Sequence, residues 1–119
     1  MGTSGTTDEL SLVHENPPGA DQLAAASNVF QLLSDTTRLH ILWTLAHREA
    51  DVTALTEACG ASRTAVSQHL AKLRLAGLVE SRKQARHVIY RLTDGHLRRL
   101  VVEALNHADH VVTGEPPHA

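Results

Sequence analysis

Aromatic residues and cysteines are scarce in this chain of 119 residues. It contains one Phe, one Trp and one Tyr, so a core has to be built from Leu, Val, Ile and Ala. The single cysteine, Cys59, excludes a disulfide framework and favours a reducing compartment. With 42% apolar residues the chain is globular, and its length predicts one domain whose thin core is compatible with a core shared between two copies.

Long apolar runs are also missing. No stretch approaches the roughly 20 residues that a membrane-spanning helix requires, and the N-terminus lacks the basic and apolar segments of a secretory signal. We therefore expect a cytoplasmic protein with no membrane partner. Residues 1–19 are rich in Gly, Thr, Ser and Pro, and residues 113–119 contain a Pro-Pro pair. These segments are expected to be flexible tails on either side of a domain that spans residues 20–112.

The small net charge of −2 conceals an uneven distribution. Residues 60–100 hold nine of the eleven Lys and Arg residues and only two acids, Glu80 and Asp94, which is a local balance of +7. The rest of the chain has two basic and eleven acidic residues, a balance of −9. A basic patch on an acidic body is typical of proteins that bind nucleic-acid phosphates with one face.

Hydrophobic spacing predicts a mostly helical fold. Apolar residues at intervals of three and four predict helices at about residues 20–33 and 94–111. Between them, residues that favour helix N-termini mark three more helix starts, and glycines mark two helix ends. The starts are predicted at Ser34 or Asp35, at Asp51 and at Ser62, and the ends at Gly60 and Gly77.

The middle of the chain predicts a DNA-binding motif. A short helix, a turn at residues 60–62 and a second helix form a helix-turn-helix, whose second helix enters the major groove. Residues 78–82 and 87–92 are β-branched or alternate in polarity around a polar turn, which predicts a β-hairpin. A basic hairpin after a helix-turn-helix forms a wing, so the predicted fold is a winged helix-turn-helix.

Polar residues on the outward face of the second helix are the candidates for DNA contacts. Arg63 can bond a guanine edge and Gln68 an adenine edge, whereas Lys72 is better suited to neutralise a phosphate. His69 lies beside this face and is equally compatible with burial. Basic residues at the hairpin tip would contact the DNA backbone or the minor groove. The predicted DNA contacts are Arg63, Thr64, Ser67, Gln68, His69, Lys72, Arg82, Lys83 and Arg86.

Histidines are abundant, with nine in the chain, and three of them fall in the last predicted helix. At about 100° per residue, His96, His107 and His110 share one edge of this helix. The apolar stripe beside them consists of Leu97, Leu100, Val101, Ala104, Leu105 and Ala108. His96 and His107 are eleven residues apart, or about 16 Å along the axis, whereas zinc donors lie about 2 Å from the ion. One helix therefore cannot place both histidines on a single metal ion.

Two such helices that run antiparallel in a homodimer would bring the donors together. Asp94 and His96 of one helix would face His107 and His110 of the other, with the apolar stripe as the dimer seam. A two-fold axis repeats every contact, so the dimer would hold two identical sites. Three imidazoles and one carboxylate form a closed tetrahedral set for Zn(II), the metal expected first, and also accept Co(II). No position remains for a substrate water, which argues against an enzyme.

Other interpretations of the histidines stay open. His107 and His110 would also suit the negative C-terminal end of a helix dipole as ordinary surface residues. His14 and His118, which lie in the predicted tails, are candidate extra metal ligands. They would shift the preference towards six-coordinate Ni(II) or Co(II).

Several segments resemble the ArsR/SmtB family of metal-sensing repressors. They are residues 33–42 (LSDTTRLHIL), residues 67–73 (SQHLAKL), residues 90–92 (YRL) and the last helix, within a resemblance that covers about residues 20–111. The pattern Asp-x-His, ten residues, His-x-x-His is similar to the C-terminal-helix site of the family's zinc, cobalt and nickel sensors. The resemblance implies that the same four residues are metal ligands. It also implies that the apo dimer binds operator DNA and that metal releases it, which derepresses efflux or homeostasis genes.

The chain departs from the family pattern in two places. The family's arsenic, cadmium and lead sensors carry Cys-x-Cys where the third helix begins. This chain has Ala-Asp-Val-Thr at residues 50–53, so soft-metal sensing is not expected there. Wing turns of the family usually contain Gly, whereas residues 83–86 have none, which predicts a longer or differently angled wing tip.

The alternative function is a winged-helix repressor that responds to a non-metal signal, such as redox state or a small apolar ligand. A single cysteine and too few aromatic residues to line a cavity argue against it. Neither enzymatic activity nor a small-molecule substrate is expected.

Overall fold

The computed structural model describes residues 16–114, so most of the predicted tails, with His14 and His118, lie outside the described residues. The chain divides into two compact units, one up to Gln31 and one from Leu32 onwards. Five helices and one hairpin occur within the described residues, which confirms the predicted fold class. They are α1 (Ala20–Leu33), α2 (Thr36–His47), α3 (Val52–Cys59), α4 (Arg63–Leu75), β1 (Val79–Gln84), β2 (His87–Leu92) and α5 (Gly95–Thr113).

The predicted capping residues start the helices because they satisfy free backbone donors. The side chains of Asp35, Asp51 and Ser62 accept hydrogen bonds from the N–H three residues further on, at 3.0, 2.9 and 3.1 Å. Each bond satisfies an N–H group that the first helical turn leaves without a partner. Asp94 caps α5 in the same way, at 2.9 Å. Of the two candidates for α2, Asp35 is the cap.

Left-handed glycines follow α3 and α4, as predicted. Gly60 and Gly77 have φ of +66° and +80°, a conformation that costs other residues about 1–2 kcal/mol. After Gly77 the chain turns into the hairpin, and the N–H of Leu78 donates to the carbonyl of Leu73 at 2.9 Å. The helix-turn-helix and the wing therefore follow one another with no intervening linker.

The core lies around α2, which packs against α3, α4, α5 and β2. Its central positions are filled by aliphatic side chains, as the scarcity of aromatic residues predicts. None of the helices in the described part of the chain has the length and apolar character needed to span a bilayer. The side chains with no solvent exposure are Ile41, Leu42, Leu55, Val66, Leu70, Leu73 and Val101.

The hairpin has a longer first strand and a tighter tip than predicted. Strand β1 extends to Gln84, where the sequence predicted an end at residue 82, and Gln84 pairs with His87. Only Ala85 and Arg86 remain in the turn, so the longer of the two alternatives for the tip is wrong, and a different angle of the tip stays a prediction. Ala85 replaces the usual glycine and takes a φ of +57°, in the left-handed region.

One short pairing was not predicted. Ala50 and Tyr90 form an antiparallel bridge: the Ala50 N–H donates to the Tyr90 carbonyl at 3.2 Å, and the Tyr90 N–H donates back at 2.8 Å. A bridge of one residue has no alternating pattern for periodicity to detect. It attaches the wing to the segment immediately before α3.

A histidine–aspartate pair also joins the wing to α3. The Nδ1 atom of His87 lies 3.1 Å from a carboxylate oxygen of Asp51. The pKa of Asp51 lies below its ordinary value, chiefly because the Ala54 N–H favours the ionised carboxylate; burial opposes this effect and the charge of His87 adds to it. Such a carboxylate stabilises the folded state above its ordinary pKa, and the contribution is lost as the pH falls through the lowered pKa.

Replacing Ala85 by Gly should stabilise the hairpin by removing the steric cost of a left-handed alanine. We expect the free energy of unfolding to rise by about 1 kcal/mol, measured by chemical denaturation. Ala76 is the matched control, because it is exposed and has an ordinary φ of −80°. Ala76→Gly should lower the free energy of unfolding by about 0.5–1 kcal/mol. An A85G variant less stable than the wild type would contradict this view of the turn.

Replacing Asp51 by Asn should remove the negative charge and keep the capping hydrogen bond, because the Asn carbonyl can still accept the Ala54 N–H. We expect D51N to unfold at a lower temperature than the wild type at neutral pH. The difference should disappear as the pH falls through the lowered pKa of Asp51, where the wild-type carboxyl is also neutral. Thermal unfolding followed by circular dichroism across the acid range measures it. A difference in unfolding temperature that does not change with pH would show that the charge of Asp51 contributes nothing to stability.

Candidate nucleic-acid interface and metal ligands

Helix α4 presents a continuous polar face to solvent. Val66, Leu70 and Leu73 are fully buried at intervals of three and four, and this burial orients the opposite face outwards. The exposed residues of that face are Thr64, Ser67, Gln68, Ala71 and Lys72, and Arg63 is exposed at the first position of the helix. This arrangement has the form of a recognition helix, whose first turns meet the base edges in the major groove.

His69 does not belong to that face. Its side chain is only 22% exposed, and its Nε2 atom lies 3.7 Å from a carboxylate oxygen of Asp35 at the start of α2. The pKa of Asp35 is lowered, chiefly by the hydrogen bond from the Arg38 N–H, with a smaller contribution from the charge of His69. The structure therefore favours a His69 that packs against the start of α2 over one that contacts a base.

The basic residues of the wing differ in how they are paired. Arg82 Nη1 lies 2.6 Å from an oxygen of Glu49, and Arg82 Nη2 donates to Gln84 Oε1 at 3.1 Å. Sequence reasoning missed this pair because Glu49 is 33 residues away along the chain. Lys83 and Arg86 are exposed and make no ion pair within the described residues. The charges of Lys83 and Arg86 are therefore available to DNA, whereas Glu49 largely neutralises the charge of Arg82.

Asp94 and His96 lie at the start of α5. Asp94 caps the helix by accepting the Leu97 N–H, and His96 is exposed. The Nδ1 atom of His96 lies 2.8 Å from Nη2 of Arg99. A ring nitrogen that accepts from a guanidinium cannot bind a metal ion at the same time. Coordination through Nδ1 therefore requires Arg99 to move.

His107 and His110 lie near the other end of this 19-residue helix. His107 is exposed and His110 is half-buried, and about 16 Å of helix separates His107 from His96. No group of three or more His, Cys, Asp or Glu residues in the described part of a single chain could hold a metal ion. Imidazole and carboxylate donors suit Zn(II), Co(II) and Ni(II), but they could meet only if a second chain supplied the missing half.

Part of the apolar stripe of α5 is buried inside the chain. Leu97 and Val101 are buried within the chain, where α5 packs against α2, so they are not available for the dimer seam proposed from the sequence. Val111 and Val112, near the end of the helix, are 70% and 83% exposed. The large apolar side chains that α5 leaves exposed therefore lie near its C-terminal end.

Cys59 is half-buried at the end of α3. Burial raises the pKa of its thiol. A thiol held in the protonated state is a poor nucleophile and a poor metal ligand. Cys59 therefore has the environment of an inert, half-buried thiol.

Comparison with known proteins identifies the family. The model of the arsR family of bacterial regulatory proteins matches residues 35–81, from the cap of α2 into β1. The chain is 44% identical to the HTH-type transcriptional regulator KmtR of Mycobacterium tuberculosis over 87% of this chain and 79% of KmtR. It is 39% identical to the HTH-type transcriptional regulator NmtR of the same organism, over 83% of this chain and 86% of NmtR.

Solved structures agree with this relationship. A homodimeric winged helix-turn-helix DNA-binding domain from Mycobacterium bovis superposes with a TM-score of 0.72 at 29% identity, over 89% of this chain and 100% of that domain. HlyU from Vibrio cholerae superposes with a TM-score of 0.68 at 32% identity, over 82% of this chain and 100% of HlyU. The chain belongs to the ArsR family and is a DNA-binding transcriptional repressor of the ArsR/SmtB type, not an enzyme.

Proposed function

We propose that this protein is a homodimeric, metal-responsive repressor. The apo dimer binds operator DNA and is released when Zn(II), Co(II) or Ni(II) binds between antiparallel C-terminal helices, which derepresses metal efflux or homeostasis genes. The observation that carries the proposal is the position of Asp94 and His96 at one end of α5 and of His107 and His110 at the other. An antiparallel pair of α5 helices would complete two four-ligand sites, with Zn(II) the metal expected first.

Exposed apolar surface supports the dimer. Val111 and Val112 on α5 are largely exposed, and Leu23 and Phe30 on α1 are 57% and 58% exposed. Ala104 is exposed on the stripe of α5 and is small enough to allow a close approach of two helices. The similar domain from Mycobacterium bovis is itself homodimeric.

Packing within the chain provides a route between the two proposed sites. Leu97 and Val101 bury α5 against α2, and α2 in turn packs against both helices of the helix-turn-helix. A metal ion bound by both α5 helices would hold them in one arrangement. Each α2 would then move together with the recognition helix that packs against it. The metal can shift the equilibrium between two arrangements of the dimer only if its affinity for the two arrangements differs. By linkage, DNA must weaken metal binding by the same factor.

A repressor that answers a non-metal signal is the second candidate. It is supported by relatives such as the transcriptional activator HlyU of Vibrio cholerae, at 36% identity, and a biofilm growth-associated repressor of Xylella fastidiosa, at 35% identity. The raised pKa of the Cys59 thiol disfavours a redox signal read at that residue. A titration of the apo protein and its DNA complex with each metal separates the two candidates.

Replacing His107 by Ala should abolish the metal response and leave DNA binding by the apo protein unchanged. For the wild type we expect Zn(II), Co(II) or Ni(II) to weaken DNA binding by about 5- to 150-fold, the usual range of allosteric coupling. Gel-shift titrations measure the response, and the visible absorption of bound Co(II) reports whether the site is four- or six-coordinate.

His40→Ala is the matched control, because His40 is an exposed histidine on α2, away from the proposed ligands, and this variant should respond like the wild type. A full metal response in H107A would refute the assignment of His107. If no metal changes the DNA affinity of the wild-type protein, the metal-sensing proposal fails and the DNA-binding function stands.

Replacing Ala104 by Glu should weaken the dimer, because it places a charge in the apolar seam. We expect the dimer dissociation constant to rise by about a hundredfold or more, measured by sedimentation equilibrium without metal. Asn106→Glu adds the same charge on the opposite side of α5 and should leave the dimer intact. A strictly monomeric wild type, or a dimer equally weakened by both variants, would contradict the antiparallel arrangement.

A further inference from the structure

A cleft of about 200 Å³ separates the wing from the helix-turn-helix. Its walls come from the start of α3, the first residue of α4, the hairpin turn and strand β2. A water molecule occupies roughly 30 Å³ in the liquid. The cleft therefore has room for a phosphodiester group together with bound water.

Two arginines line this cleft from different elements, Arg63 from α4 and Arg86 from the turn of the wing. Neither makes an ion pair with a carboxylate in the described residues. Arg82 in the same wing differs, because Glu49 neutralises it at 2.6 Å. The two arginines at the cleft are therefore free to bind an anion.

Asp51 is the acidic residue of the cleft, and both of its oxygens are already engaged. One accepts the Ala54 N–H at 2.9 Å, and the other lies 3.1 Å from Nδ1 of His87. These contacts hold the wing against the start of α3 and set the width of the cleft. With two arginines against one engaged carboxylate, the lining carries a net positive charge.

The hydroxyl of Thr53 orients one of the two arginines. Arg63 Nη1 donates to Thr53 Oγ1 at 3.0 Å. A guanidinium carries five N–H donors in a rigid fork, so one bond to a hydroxyl leaves the others for phosphate oxygens. Thr53 thus reduces the number of conformations that Arg63 can adopt before DNA arrives.

We propose that this cleft holds one backbone phosphate of the operator between Arg63 and Arg86, and that Thr53 is a positioning residue for Arg63. The inference rests on the proposed DNA-binding function and refines it. Arg63 would neutralise a phosphate and would not read the guanine edge that the sequence suggested. Gln68, on the exposed polar face of α4, would be left to read bases.

The test compares two duplexes: one selected from a random-sequence pool with the wild-type protein, and one of scrambled sequence and equal composition. Arg63→Ala and Arg86→Ala should each weaken binding to both duplexes by a similar factor, about tenfold or more. Each should also reduce the slope of log affinity against log salt concentration by about 1. Gln68→Ala is the control for base reading: it should weaken binding only to the selected duplex and keep the salt slope.

If both arginines bind the same phosphate, the double variant R63A/R86A should lose less affinity than the product of the two single losses. If Arg63→Ala weakened binding only to the selected duplex and kept the salt slope, the phosphate inference would fail and the proposed function would stand. If the wild-type protein enriches no duplex from the pool and does not bind the scrambled duplex, the proposed function and this inference both fail. All variants change exposed residues, and their thermal unfolding should match that of the wild type.

Thr53→Val removes the hydroxyl at nearly constant size, and Thr53→Ser retains it. We expect T53V to weaken binding to both duplexes several-fold with unchanged thermal unfolding, and T53S to bind like the wild type. Equal binding by T53V and the wild type would refute the positioning role of Thr53.

Discussion

Burial of the aliphatic side of α2 joins the DNA-binding half of the chain to the helix that carries the histidines. Ile41 and Leu42 have no solvent exposure, and α2 contacts α3, α4, β2 and α5. Removing one such side chain typically costs about 2–5 kcal/mol, a large part of the 5–15 kcal/mol that stabilises a small domain. In the proposed repressor, a close-packed core of this kind would transmit a displacement of α5 to the recognition helix.

Charge is divided between residues that build the wing and residues that remain free. Arg82 and Arg91 are held by Glu49 and Glu80 at 2.6 and 2.8 Å. Exposed ion pairs of this kind contribute little stability, but they orient the strands that carry them. Arg63 and Lys72 on α4 and Lys83 and Arg86 at the tip of the wing are exposed and make no ion pair within residues 16–114, although the chain has a net charge of −2.

The sequence alone determined the features that depend on near neighbours. Asp51 and Ser62 cap helices through an N–H three residues away, and Gly60 ends a helix through its own backbone freedom. The buried stripe and polar face of α4 follow from a period of 3.6 residues. The distance from His96 to His107 follows from the rise of a helix, so the sequence by itself implies that the proposed metal site needs a second chain.

The tertiary structure decided the features that depend on which distant segments meet. Glu49 pairs with Arg82, Asp35 faces His69, and Ala50 bridges to β2, all between residues far apart in the chain. No local pattern encodes such contacts, because they arise only after the core has brought the elements together. The same is true of Ala85: once the strands pair up to Gln84, only two residues remain to close the turn, and one of them is forced into the left-handed region.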